Sequence, residues 1–187
     1  KKKISDVVVS NKNGISLISG GTASDNLLNM ENIKRYSILN EIDSYLKKEG
    51  SVRLVVDIAA GAEDNALVFS MACDRILIVI IGEPTSFVDS YALIKALFSK
   101  SSFKNYCIAV NQVDDDTHGK ELFQKFQSIT SQFLDVNLHY VGCVKNSSKI
   151  RKSIVDRIPI NNLARVPEFP KSSLPFFLIL KDPNPLP

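Results

Sequence analysis

Residues 75–95 read RILIVIIGEPTSFVDSYALIK, and the fold turns on how that stretch is parsed. Ile76 to Ile81 is an unbroken apolar run with no polar alternation, the pattern of a strand covered on both faces rather than on one. Pro84 ends strand pairing because it has no N–H. Thr85, Ser86 and Asp89 supply side-chain oxygens that can cap a helix, and the spacing predicts that helix over 89–98.

Outward from this unit the same alternation continues. Upstream, Ile15 to Ile18 is a short strand candidate closed by Gly20-Gly21, which is read as a turn. Met30 to Lys48 then places Ile33, Tyr36, Ile38, Leu39, Ile42, Tyr45 and Leu46 on one helical face. Leu54 to Val56 reads as a strand and Asn65 to Cys73 as a helix. Downstream, Tyr106 to Val110 and Asn137 to Val144 are strands. They are separated by a helix from Gly119 to Phe133 and followed by one from Lys149 to Arg157. Apolar strands separated by helices define an α/β fold, a mostly parallel sheet with helices on both faces. The compositional break is the proline-rich stretch 167–187. One domain over 1–166 followed by a tail is therefore expected.

Composition excludes little. The 187 residues are 44% hydrophobic and 23% charged with a net charge of +3, within the ordinary globular range and too balanced to name nucleic acid as a partner. Cys73, Cys107 and Cys143 are odd in number and show no CxxC spacing, so they are read as free thiols in a reducing cytoplasm. With His118 and His139 far from any cysteine in sequence, no structural metal site is expected. No apolar run reaches the roughly 20 residues of a membrane span, and no signal-peptide pattern follows Lys1-Lys2-Lys3.

In an open parallel sheet, ligands bind outside the carboxyl ends of the strands, and four such ends carry chemistry. Leu54-Val55-Val56 ends in Asp57-Ile58-Ala59-Ala60-Gly61. A carboxylate there can hold hydrated Mg2+ beside backbone that can approach a phosphate, or it can simply cap a helix. The opening strand ends in Glu83 and Pro84. Tyr106–Val110 ends in Asn111, whose amide matches an adenine edge and equally suits an Asx turn. The last strand ends in Lys145-Asn146-Ser147, which can flank a base or cap a helix.

Taken together and in order, residues 55–97 resemble the MinD/ParA group of P-loop ATPases, in particular its FlhG (FleN) flagellar-number regulators. Fainter similarity extends from about Val7 to Pro159. The wording Glu83-Pro84-Thr85-Ser86, with Asp89 and Tyr91 to Lys95, is the most specific match. The resemblance implies that Asp57 orients Mg2+ through water and that Gly61 senses the γ-phosphate of ATP. It further implies that Asn111 reads the base, with Glu83, Pro84, Lys145 and Asn146 beside the nucleotide. It also implies an ATPase that closes a homodimer on ATP, engages a protein partner such as flagellar assembly machinery, and releases it on hydrolysis. Such a protein works in the cytoplasm, at most peripherally at the inner face of the cell membrane. Division-site or plasmid positioning is the alternative within the group, and a noncatalytic interaction module is the alternative outside it.

The departures are specific. The sequence holds no GxxxxGK[ST] and no switch aspartate, so the P-loop lysine is not among these residues and the domain is expected to be incomplete at its N-terminal side. Alone, the chain is expected neither to hydrolyse ATP nor to hold it tightly, since most of the grip in such enzymes comes from that loop. Lys145-Asn146-Ser147 replaces the proline-acid pair usual in the base-flanking loop, and Ile58 stands where a small or hydroxyl residue is usual. The basic residues Lys149, Arg151, Lys152 and Arg157 are read as a solvated helix face, so nucleic acid is not expected. Phe176 to Leu180, bracketed by Pro175 and Pro183, is too short for more than weak membrane association, and packing against the domain is expected.

Overall fold

The computed structural model describes residues 3–10, 15–19, 31–50, 53–58 and 63–157. After a 3-10 turn at Ile4–Asp6, β1 (Val8–Ser10) and β2 (Ser16–Ile18) form an antiparallel pair. Helix α1 (Asn32–Glu49) and helix α2 (Asp64–Met71) follow. Then come β3 (Ile76–Ile80), α3 (Pro84–Ser101), β4 (Asn105–Val113), α4 (Asp116–Ser131), β5 (Asn137–Lys145) and α5 (Ser148–Asp156). The three later strands form a parallel sheet in the order β3-β4-β5, with helices around it. The α/β class expected from the sequence is the class observed.

Why these segments pack this way follows from period 2 along the strands. Ile76, Ile78 and Ile80 of β3 and Tyr106, Ile108 and Val110 of β4 are buried on one face of the sheet. That face meets Ile94 and Leu97 of α3 and Phe123 and Phe126 of α4, which are buried in the same cluster. Leu67 carries α2 into the cluster as well. Fully burying each such side chain contributes roughly 1.5–3 kcal/mol, so this layer is the main source of stability. On the opposite face of β3, Val79 is 54% exposed. Arg35, buried in α1, donates to the side-chain oxygens of Asn32 and Asn65 and so ties α1 to the start of α2.

Several boundaries differ from the sequence reading for identifiable reasons. Helix α3 begins at Pro84, five residues before the expected start, because proline's fixed φ and missing N–H suit the first helical position. Glu83 is the N-cap residue but makes no side-chain cap bond. Ser86 Oγ instead accepts from the Ile81 N–H at 3.1 Å, holding the strand end against the helix start. Helix α4 begins three residues early because Asp115 caps it, accepting from the His118 N–H at 2.8 Å. Leu54 makes a single bridge, and the expected strand over 54–56 does not otherwise form. The β1–β2 pairing has no counterpart in the sequence reading.

Strands β4 and β5 carry two irregularities. Ile108 pairs with Tyr140 but Ala109 with Gly142, so Val141 is an extra residue on β5. Asn111 pairs with Val144 but Val113 with Lys145, so Gln112 is an extra residue on β4. Such bulges let both ends of a strand keep their core-facing side chains while the strand bends. Val110 and Val113 are both fully buried although three residues apart. Gly142 has φ 132, a conformation that suits glycine. The expected tail over 167–187, with Phe176 to Leu180, lies outside the described residues.

Candidate functional site

The carboxyl ends of β3, β4 and β5 stand side by side. β3 runs out through Ile81 and Gly82 into exposed Glu83 and Pro84 at the head of α3. β4 presents Asn111, half-buried, whose Oδ1 accepts from the backbone N–H of Gln112 at 2.8 Å. That bond is local, and Gln112 is held at φ 59 in the left-handed region. β5 ends in exposed Lys145, whose Nζ lies 3.5 Å from Asp116 Oδ2 at the start of α4. The Asn146 N–H donates to the Val113 carbonyl at 2.7 Å, fixing the loop after β5 against the end of β4.

Strand register therefore brings Asn111, Lys145 and Asn146 to one edge, with Glu83 and Pro84 following the neighbouring strand. Asp57 is exposed in segment 53–58, and no hydrogen bond or ion pair connects it to that edge among the described residues. Gly61 lies outside the described residues.

Just beneath this edge lies a cluster that sequence reasoning missed. Cys143 Sγ donates to Asp116 Oδ1 at 3.3 Å, and Asp116 also faces Lys145. A Cβ added at Gly119 would stand 2.8 Å from the Cys143 Cβ and 2.9 Å from the Tyr140 hydroxyl, so only glycine lets α4 approach β5 this closely. Burial, followed by the hydrogen bond to Cys143, raises the Tyr140 phenol well above its ordinary range. Burial likewise raises the Cys143 thiol, with Asp116 adding and Lys145 opposing. In this arrangement the Cys143 Sγ–H is the donor and the Asp116 carboxylate the acceptor. The available signal was the run Asp114-Asp115-Asp116 directly after a strand, in which one carboxylate caps the helix and the next is left for Lys145.

Chemically, the edge offers a carboxamide, a lysine already turned toward a carboxylate, and backbone amides at two helix starts. Asn111 keeps both amide hydrogens and a second oxygen lone pair, enough to read a base edge. Asp57 suits a hydrated divalent cation, since Mg2+ is commonly held by one or two carboxylates with waters and substrate phosphates. No group of three metal-ligating side chains exists among the described residues. Asn111 carries the donor and acceptor that a base edge needs, whereas Asp57 has no contact with that edge among the described residues. These groups do not include the backbone cradle and lysine that grip a nucleotide's phosphates. Among the described residues, the depression lined by Ser148, Arg151, Lys152 and Val155 is built by α5 alone. No helix among the described residues is long and apolar enough to cross a membrane.

No protein-family model matches the chain. Among curated proteins, the antiactivator FleN of Pseudomonas aeruginosa is 28% identical over 152 residues, covering 81% of this chain and 54% of that protein. The flagellum site-determining protein YlxH of Helicobacter pylori is 26% identical over 167 residues, covering 87% of this chain and 54% of that protein. The chain spans about half the length of these curated relatives.

Proposed function

A chain related to FleN and YlxH over most of its length stands in a FlhG-like, MinD/ParA relationship, and from that premise we propose that it belongs to an ATP-dependent switch regulating flagellar number or placement. The observation that carries the reading is this kinship, joined to a parallel-sheet edge whose side chains suit a nucleotide. In the intact protein, ATP with Mg2+ closes a homodimer, the closed form engages a protein partner, and hydrolysis releases it.

This chain's own residues take distinct parts in that scheme. Asn111 reads the adenine edge with its carboxamide. Lys145 and Asn146 flank the base, the Asn146 N–H bond to Val113 holding their loop in place. Asp57 holds a water of the hydrated Mg2+, and Gly61 offers its N–H to the γ-phosphate. Glu83 and Pro84 border the nucleotide from the head of α3. The bound cation supplies charge neutralisation of the phosphates.

The test is a titration of the intact protein with ATP, with and without Mg2+, beside its Asp57→Ala variant. Mg2+ is expected to strengthen ATP binding by the wild type and to lose most of that effect in the variant. Equal Mg2+ dependence would remove Asp57 from the site. An intact protein that binds no ATP at all would leave a noncatalytic interaction module.

A further inference from the structure

Among the described residues of α1, one alone is buried, and it is an arginine. Arg35 is 6% exposed, whereas a helix docked by packing buries an apolar stripe. Its Nη1 donates to Asn32 Oδ1 at 2.6 Å, one turn earlier on the same helix, and its Nε donates to Asn65 Oδ1 in the first turn of α2. No carboxylate pairs with it among the described residues. A buried cation with neutral partners, set against the positive end of a helix, is electrostatically the wrong group for that place. An apolar side chain of similar volume commonly holds such a contact as well or better. Stability therefore does not account for the arginine, and a break of local rules of this kind is characteristic of functional positions.

The turn that Arg35 holds has little else to fix it. Glu63, the N-cap residue of α2, makes no side-chain cap bond, and Asp64 faces Lys100 in an exposed pair of little strength. Leu67 seats the body of the helix in the core cluster, which leaves the direction of the first turn to Asn65. In sequence, Asn65 follows Asp57 and Gly61 by eight and four residues. We infer that Arg35 is a positioning residue: from α1 it fixes the first turn of α2 through Asn65, and so sets the aim of the 57–61 segment that runs into that turn. This rests on the roles proposed above for Asp57 and Gly61. Asn32 clamps the guanidinium from its own helix, so the planar fork is already oriented when it meets Asn65. Arg35 thereby bears on the γ-phosphate step and not on the base, which is read at the sheet edge by Asn111.

The test is steady-state ATP hydrolysis by the intact protein, together with amide exchange at Leu67, whose N–H donates to the Glu63 carbonyl in the turn concerned. Asn32 is exposed and Asn65 half-buried, so both amides can turn to water, and Arg35→Met should leave the melting temperature unchanged or higher. It should lower kcat about tenfold with KM within about twofold, the pattern of a contact used in the transition state and not in ground-state binding. Exchange at the Leu67 N–H should rise in the nucleotide-free variant. Arg35→Lys keeps a charged donor for Asn65 but loses the fork, so it should recover part of kcat. Asn65→Ala should lower kcat at least as far as Arg35→Met, and the double variant no further, since both remove one contact. Unchanged kcat in Arg35→Met, a fall matched by lost stability, unchanged Leu67 exchange or an additive double variant each overturns the inference while leaving the ATPase reading intact. A wild type that turns over no ATP, with Leu67 exchange still rising in the variant, overturns that reading and reduces the Arg35–Asn65 bond to a structural tie.

Discussion

Asn111 shows how one side chain serves both a local and a functional reading. Its carbonyl oxygen holds the Gln112 N–H, as in an ordinary turn, and its NH2 group remains available at the sheet edge. Paired amide–base hydrogen bonds are worth roughly 1–3 kcal/mol by analogy with DNA readout. Asn111→Ala in the intact protein is therefore expected to narrow the preference for ATP over GTP by about tenfold, measured as a ratio of affinities. An unchanged ratio would return the residue to its turn. Thr130 is the opposite case. Its Oγ1 is buried with no hydrogen-bond partner among the described residues. Thr130→Val removes an unsatisfied hydroxyl at nearly constant volume and should raise stability by about 1 kcal/mol in urea unfolding. The sequence marks Asn111 because it ends an apolar run, but nothing in it shows the bond to Gln112 or the isolation of Thr130. Both depend on neighbours brought in by the fold.

At the level of elements, β3, β4 and β5 were legible because an unalternating apolar run between helices has few other readings. The start of α3 was misread because Pro84 was taken as a stop to the strand, although a proline that ends one element can also begin the next. β2 falls within the strand expected over Ile15 to Ile18, whereas β1, three residues long, is too short for periodicity to register. Leu54 to Val56 has the composition of a strand, but composition does not specify a pairing partner. Helix α4 owes its seat on β5 to Gly119. Placing a methyl 2.8 Å from the Cys143 Cβ forces backbone or side chains apart, so Gly119→Ala should cost about 1–3 kcal/mol. Near-ultraviolet circular dichroism should report displacement of Tyr140, and an unshifted melting curve would show that the helix yields freely.

Across the whole molecule, the α/β class was readable because it rests on the order of elements, which survives errors at their ends. The candidate edge was readable only in part. The strand tips were visible in sequence, whereas the Asp116–Cys143–Tyr140 cluster beneath them required the α4–β5 approach. The buried layer also sets a pH response. Burial, with Asp74 adding, pushes the Cys73 thiol from 9.0 up to about 12, and burial pushes Tyr106 from 10.0 up to about 12. These folded values lie above the unfolded ones, so the unfolded chain ionises first as pH rises. The stability they contribute is fully present below about pH 9 and is lost progressively toward about pH 12. Urea midpoints taken across that window should fall, and Cys73→Ser should remove the lower-pH part of the decline. A flat profile would mean that the thiol is open to solvent.

The two surplus residues in the sheet, Gln112 on one strand and Val141 on the next, make chain length a variable separate from composition. Each adds to the contour of its strand without changing which side chains face the helices, because the ladder resumes in phase on either side. An inserted residue can thus turn what stands at the rim while every core position keeps its occupant. At this rim, Asn111 is anchored by the surplus residue itself, so its aim is adjustable by counting residues as well as by exchanging them.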